Sequence, residues 1–577
     1  MTLVSIVGVS SIVAVAAFSK RLGLAAPLSL VVVGIALSFV PGVPAVAVEP
    51  EWVLAGVLPP LLYSTAVNMP ASDFRRNIKA ISGLAVLLVA VTTLGAGWLF
   101  HWLMPGLGWP AACALGAVVS PTDAVAATSM GKQLGLPSRL LTMLEGEGLV
   151  NDASALVLLR SAIAAMAGTV SLAGVAGNFL FSVALATAVG ILVGLVNVRV
   201  RGLLKDSLLN TAISFVVPFV AFLPAEEFHA SGVLAVVVAG LVTGHQAPRF
   251  LSAQDRLAEA MNWRTLAFLL ESAIFLLMGL GLKGLLDQVA ADGLSAWRAL
   301  FIGLAAAALV IVARMVFVAP LIASLRKDAQ RAAASKPRLD WLMDRLGAPE
   351  SEQPANPLRP RRELTARRRE QMKERVTRAS ADADFKVNES LGWRSGVALA
   401  WAGMRGAITV AAAQTLPEDT PYRPQLLLIA FVVATTTLLL QGLTLPAVIR
   451  KVKVSGDDPV RFQEEYARLL DEVAAAGRAA LEEPGLVQGD GSPYAPEVLV
   501  KVREDARLDF DRTAVPVLDG TREQYVDLRL GVIAASRDAV LAARSTGIYS
   551  SQAINQAQRG LDLDEALFQR LGASARH

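Results

Sequence analysis

Apolar stretches alternate with short polar turns along the first 450 residues of the chain. A helix needs about 20 apolar residues to cross a bilayer. Thirteen stretches approach or exceed that length: 1–18, 23–40, 52–68, 78–104, 111–129, 141–167, 173–197, 208–224, 230–244, 262–284, 298–325, 391–416 and 424–448. The third and ninth are short and bounded by proline, glycine or charge. Charge in the turns alternates. Lys20 and Arg21 precede Glu49 and Glu51; Arg75, Arg76 and Lys79 precede an uncharged turn near Pro105; Lys132 and Arg139 precede a neutral turn at Gly168. Arg199, Arg201 and Lys205 precede Glu226 and Glu227; Arg249, Arg256 and Arg264 precede Asp287 and Asp292; the basic stretch 326–390 precedes Glu418 and Asp419. Cytoplasmic loops carry the excess of lysine and arginine. Basic odd turns and non-basic even ones therefore predict thirteen helices with the N-terminus outside and the C-terminus in the cytoplasm.

Composition agrees. The 577-residue chain is 54% hydrophobic and 18% charged, with a mean hydropathy of +0.51, too apolar for a soluble protein of this size. The first span lacks a basic start, and Lys20-Arg21 follows it, the reverse of a cleaved signal peptide. The one cysteine, Cys113, has no internal partner and falls within a span. Residues 326–390 are arginine-rich, with Arg359, Arg361, Arg362 and Arg367-Arg368-Arg369, and read as a solvated cytoplasmic loop; contact with anionic lipid headgroups is the sharper alternative. The tail after Ile449 is helical in pattern. Phe462, Tyr466, Leu469, Leu470 and Val473 share one helix face, and Arg522 to Arg544 reads as another helix. Gly489-Asp490-Gly491 lacks the strand and spacing of a phosphate loop. The domain division is 1–450 in the membrane and 451–577 in a helical cytoplasmic tail.

The chemistry lies inside the membrane. Asp152 is eleven residues from Leu141, so roughly 16 Å into a core about 30 Å thick. Asp123, entering from the opposite side, Glu271 and Arg405 reach similar depth. Ionisable groups there are costly and mark ion or proton pathways. The fifth span carries Ser120-Pro121-Thr122-Asp123, where proline opens the helix; freed carbonyls are tolerated where they line a cavity. A plain proline kink would not explain the carboxylate two residues on. The twelfth span carries Gly403-Met404-Arg405-Gly406, where two glycines weaken the helix around a buried arginine. Each break falls in the fifth span of a six-span half, the mark of an inverted-repeat transporter. In the sixth span Glu147 and Asn151 share one face, and Gly148 and Asp152 the next. Arg405 is the expected ion partner of Glu147, since either alone is an unpaired buried charge. Gly148 leaves room for a hydrated ion or a close helix. Arg160 and Arg314 are expected to snorkel to an interface, Glu226 and Glu227 to form a solvated turn, and His101, His229 and His245 suggest no metal site.

Together these residues resemble the monovalent cation:proton antiporter-1 family, the NhaP-type and animal sodium/proton exchangers, over roughly residues 1–450. Ser-Pro-Thr-Asp at 120–123, Glu-Gly-Glu-Gly-Leu-Val-Asn-Asp at 145–152 and Gly-Met-Arg-Gly-Ala-Ile at 403–408 carry the resemblance, with support from Leu58-Pro59-Pro60-Leu61-Leu62-Tyr63 and from Glu271. It implies an all-α membrane protein of about thirteen helices with inverted repeats, a crossed pair of unwound helices, a homodimer and an elevator-like motion. It implies that Asp152 binds cation and proton in turn, that Asp123 and Thr122 assist, that Glu147 pairs with Arg405, and that Asn151 accompanies one-for-one exchange. Ser120, Gly148 and Glu271 are accessory. Many relatives have serine at the position of Gly148 and an acidic residue at that of Ser64.

The expectation is a plasma-membrane antiporter exchanging Na⁺ for H⁺, electroneutral and by alternating access, with no cofactor and no nucleic-acid partner. A K⁺/H⁺ antiporter is the alternative within the class. A gated cation channel would use several weak sites along a pore, and an intramembrane hydrolase would need a catalytic pair; a single deep carboxylate beside asparagine suits an exchanged ion better.

Overall fold

The computed structural model describes residues 2–22, 25–41, 49–168, 172–204, 206–347, 366–483, 486–488, 491–505 and 521–575. Lys205, Arg359, Arg361, Arg362, Gly489-Asp490 and His577 lie outside these. Among the described residues every element is helical, apart from an isolated bridge between Val487 and Pro493.

The chain opens with α1 (Thr2–Leu22) and α2 (Ala26–Ser38). A wider, π-helical stretch, Trp52–Val57, runs into α3 (Leu58–Asn68), and another, Gly83–Leu88, joins α4 (Ala71–Ser82) to α5 (Val89–Leu103). Next come α6 (Trp109–Val119), α7 (Val125–Gln133), α8 (Ser138–Ala167), α9 (Leu172–Leu203), α10 (Ser207–Glu227) and α11 (Gly232–Phe250). Only Gly281 separates α12 (Ala253–Leu280) from α13 (Leu282–Ala291). They lead to α14 (Ala296–Gly347), α15 (Ala366–Asn388), α16 (Trp393–Trp401), α17 (Ala407–Gln414) and α18 (Arg423–Val452). The tail holds α19 (Pro459–Ala480), α20 (Pro496–Asp505), α21 (Arg522–Thr546) and α22 (Ser551–Ala575).

Eight stretches of helix among the described residues are long and apolar enough to cross a membrane by length and composition: 71–103, 138–167, 176–203, 207–227, 232–250, 253–291, 296–346 and 423–452. The two spans that carry the predicted breaks are each divided into a pair of short helices, α6 with α7 and α16 with α17. In both, four or five residues between the helices have no helical hydrogen bonding.

Packing divides the chain into two units. The first comprises residues up to 251, 258–326 and 391–456, and its core centres on α6, α16 and α18. α6 is buried over almost its whole length; its alanines and glycine let neighbours approach closely, as helices inside a membrane require. The second unit holds residues 252–257, 327–390 and 457–577. Leu469 and Val473 of α19 pack there with Val498, Val502, Val532 and Ile554. Arg256 donates through Nε to Asp562 at 3.1 Å, and Arg537 pairs with both Asp562 and Glu565.

Two expectations are corrected. The stretch 326–390, expected as a solvated loop, is largely helix: α14 continues unbroken to Gly347 and α15 fills 366–388. Polarity signals exposure, whereas the alanine-rich run Ala329–Ala334 favours helix whether exposed or not. Arg201, expected as a turn charge, is fully buried on α9 and grips Glu259 of α12 with two bonds, of 2.6 and 3.2 Å.

Candidate functional site: a crossing of two broken helices

The two breaks meet. The amide of Asp123 donates to the carbonyl of Met404 at 2.7 Å, so the opened segments pair with each other where the helices stop. Gly406 makes this approach possible: a Cβ there would lie 2.7 Å from Cβ of Asp123 and collide with its carboxylate. Gly403 makes room for a different group, since a Cβ there would lie 2.8 Å from Cζ of Arg314. The two glycines around Arg405 thus admit two side chains from elsewhere.

Helix ends leave unpaired carbonyls with partial negative charge, and here arginines meet them. Arg405, 1% exposed, donates from Nε to the Val119 carbonyl at 3.2 Å and from Nη2 to the Ser120 carbonyl at 3.4 Å, both at the end of α6. Its Nη1 reaches the Gly403 carbonyl at 2.5 Å, and its amide donates to Thr437 of α18 at 3.2 Å. Arg314 of α14 serves α16 in the same way, donating from Nε and Nη2 to the Leu399 carbonyl at 3.2 and 3.1 Å. At the start of α7 the polarity reverses: Oδ1 of Asp123 accepts from the Val125 amide at 2.8 Å.

The expected Glu147–Arg405 pair is not formed. Glu147 pairs with Arg314 by two parallel bonds, Nη1 to Oε1 and Nη2 to Oε2, the latter 2.7 Å. Arg314 is fully buried and does not snorkel. Sequence reasoning missed it although an arginine 18 residues into an apolar helix was visible; by depth it was as good a candidate as Arg405. Arg160 does reach an exposed position and pairs with Glu226 at 2.6 Å, and Glu226 also accepts from the Gly232 amide at 2.9 Å, so that glutamate is tied rather than loose in its turn.

α8 holds the first broken segment from beside. Thr122 donates its hydroxyl to Oε1 of Glu147 at 2.7 Å. Nδ2 of Asn151 donates to the carbonyl and the hydroxyl of Thr122 at 2.8 and 2.9 Å. A carbonyl can only accept, so the amide orientation of Asn151 is set. Its Oδ1 is consequently a buried acceptor with no partner. Asp152 follows on the neighbouring face, buried, with no ion pair or hydrogen bond among the described residues. The space at Gly148 is taken by chain rather than ion: a Cβ there would lie 2.9 Å from Cβ of Ala124. Ser120 turns away, bonding to the Val89 carbonyl at 3.0 Å and to Thr92 at 2.7 Å on α5.

A family model described as the transmembrane sodium/hydrogen exchanger matches residues 8–343 and 372–451. The chain belongs to this family. An uncharacterised sodium/proton exchanger of Mycobacterium tuberculosis is 28% identical over 575 residues, covering 96% of this chain and 94% of the relative. The low-affinity Na⁺/H⁺ antiporter NhaS1 of a Synechocystis species is 27% identical, over 87% of this chain and 88% of that one. Among solved structures, the sodium proton antiporter MjNhaP1 from Methanocaldococcus jannaschii shares the fold with a TM-score of 0.54 and 16% identity, covering 79% of this chain and 97% of its own.

Within such an exchanger the crossing sorts its polar groups into two kinds. Glu147, Arg314, Arg405 and the Thr122 hydroxyl proton are consumed in mutual bonds. The Asp152 carboxylate, the free oxygen of Asp123 and Oδ1 of Asn151 remain as acceptors without donors among the described residues. Asp152 and Asn151 are buried and Asp123 is half-buried; buried acceptors without a partner are rare and call for a cation, proton or water.

Proposed function

We propose that this sodium/proton exchanger works as an electroneutral one-for-one antiporter in which Asp152 carries cation and proton alternately. The observation that carries the reading is the unpaired Asp152 carboxylate beside the unpartnered Oδ1 of Asn151, next to a crossing in which Glu147 is already paired with Arg314 and Arg405 is already held by carbonyls. An ionised carboxylate is expensive to move through hydrocarbon. Neutralised by either a proton or Na⁺, it crosses cheaply; bare, it does not. Exchange is then obligatory. Asp123 contributes its free carboxylate oxygen. Thr122 keeps one hydroxyl lone pair and positions Asn151, while Glu147, Arg314 and Arg405 hold the broken helices in place.

The proposal extends to thirteen membrane helices with the N-terminus outside, supported by the alternating charge of the turns, and to inverted repeats, supported by the corresponding positions of the two breaks. Alternating access, assembly as a homodimer in the plasma membrane, a membrane domain over 1–450 and a cytoplasmic tail over 451–577 belong to the same reading.

The test is cation-induced proton efflux from proteoliposomes containing the purified chain, with Na⁺, Li⁺ and K⁺ compared across pH. Na⁺-driven efflux that vanishes in Asp152→Asn is expected. Efflux retained by that variant overturns the role of Asp152, and efflux with K⁺ but not Na⁺ overturns the choice of ion.

A further inference from the structure

Glu271 is not used by the crossing. It lies in the apolar part of α12, partly buried, and has no ion pair or hydrogen bond among the described residues. A carboxylate inside a span with no counter-charge needs a reason to be there.

A cavity of about 280 Å³ supplies one. One wall is α12 and α13, through Ile274, Met278 and Gln288; the other is α17, through Ala407, Ala411 and Gln414. Ile274 and Met278 are three and seven residues beyond Glu271, so on one helix they share its face. The stripe that lines the cavity on α12 therefore continues one turn deeper to Glu271. On the opposite wall, Ala407 directly follows Gly406, the residue packed against the Asp123 carboxylate. Followed inward, one wall leads along α12 toward Glu271 and the other along α17 toward Gly406 and Asp123. The cavity has room for several waters at ~30 Å³ each.

The far end carries Gln288, Gln414 and Arg423. The Arg423 guanidinium is occupied: Nε and Nη2 donate to the carbonyls of Leu416 and Gln414, each at 2.9 Å. It caps the end of α17. Between these polar ends the walls are mostly apolar, and a low-dielectric wall lets the field of a carboxylate reach further along an opening than it would in bulk water.

We propose that Glu271 is a relay site for the transported cation, which enters through this cavity and meets the Glu271 carboxylate before passing to Asp123 and Asp152. The inference rests on the exchange reading above. By the turn charges the cavity belongs to the outer half of the membrane, since Glu418, Asp419 and Asp287 flank it in sequence. Glu271 then governs how readily a cation is gathered from that face. It does not govern the neutralisation step at Asp152.

The experiment uses the full chain in proteoliposomes, with exchange measured from each face separately. Because Cys113 is the only cysteine, Cys113→Ala with Ala411→Cys gives a single thiol in the cavity wall. Labelling it with a membrane-impermeant quaternary-ammonium thiosulfonate reports which face the cavity serves. In Glu271→Gln the apparent KM for Na⁺ on the labelled face should rise about tenfold, while turnover at saturating Na⁺ and KM on the other face stay within about twofold. Na⁺ should slow thiol labelling when Glu271 is present, and much less in the Glu271→Gln background. If that variant does not fold, Ala411→Trp, which fills the cavity and leaves Glu271 in place, should raise KM on the same face only. An unchanged KM, a change equal on both faces, or a loss confined to turnover overturns the relay. Failure of the unmodified chain to exchange at all overturns the functional reading instead, so the two failures are distinct.

Discussion

Glu147 and Arg314 join α8 to α14 through a two-pronged ion pair in which neither side chain is more than 2% exposed, although the residues are 167 positions apart. The pair is tied at both ends. Glu147 also accepts from Thr122 of the first broken segment, and Arg314 also donates to the last turn of α16 before the second. A single pair thus holds both breaks.

Removing one member of such a pair strands a buried charge and costs about 3–5 kcal/mol. Glu147→Ala and Arg314→Ala should each lower the melting temperature of the purified exchanger and its activity. The double variant should be far less destabilised than the two losses summed. Glu147→Ala combined with Arg405→Ala should show a much smaller coupling. Thermal-melt cycles on both pairs check this; a larger coupling to Arg405 would contradict the geometry.

Arg405 acts through carbonyls. Arg405→Ala leaves those of Val119, Ser120 and Gly403 without a donor, at about 1–3 kcal/mol for each buried group left unsatisfied. Arg405→Lys keeps the charge but presents a compact ammonium instead of a fork. Lysine should restore part of the stability and less of the transport. Equal behaviour of Lys and Ala in melting and in efflux would remove the helix-end role.

Gly406→Ala places a methyl group against the Asp123 carboxylate. Overfilling a packed site costs typically about 1–3 kcal/mol. Here the displaced atoms belong to the proposed ion site, so exchange should fall more steeply than stability. Comparing initial rates with melting temperature separates the two. A variant with normal exchange would show that the segments need not approach so closely.

Charge balance gives the fourth prediction. With Asn151 neutral, the proposed mechanism has Asp152 as the one carboxylate shared between proton and cation, and Asp123 is expected to keep one protonation state through the cycle. Transport should then neither respond to membrane potential nor create one. A cycle moving one net charge would be driven by about 2.3 kcal/mol per 100 mV. Clamping the potential with valinomycin and potassium in sodium-loaded vesicles distinguishes the cases, with K⁺ first checked as a non-substrate. A rate that changes steeply with clamped voltage would make Asp123 a second proton carrier.

Much of the site was legible because it is written in local patterns. Pro121 removes a helical donor, and Gly403 with Gly406 weakens the helix around Arg405; both breaks are found at these residues. Depth follows from counting residues at a fixed rise, so Asp123, Asp152 and Arg405 could be placed near one plane before any packing was known. Asn151 and Glu147 are four apart on one helix, and they do act on the same segment, through Thr122.

What the chain alone did not determine is which buried groups meet. Arg314 and Arg405 have the same charge and comparable depth, and either satisfies the electrostatic demand of Glu147. The choice is made by how α14 and the crossing lie against α8, a relation between segments far apart in the chain. Gly148 shows the same limit: a missing side chain signals space, and only the position of Ala124 decides that chain fills it. The long polar end of α14 shows the reverse, since polarity there marks exposure without marking irregularity. Sequence by itself determined where the chain is apolar, where the helices break and that Glu147, Asp152 and Arg405 lie inside, but not that Arg201 and Arg314 do. Tertiary structure decided their partners, because an ion pair depends on distance and direction between helices, and neither is encoded in the spacing along one of them.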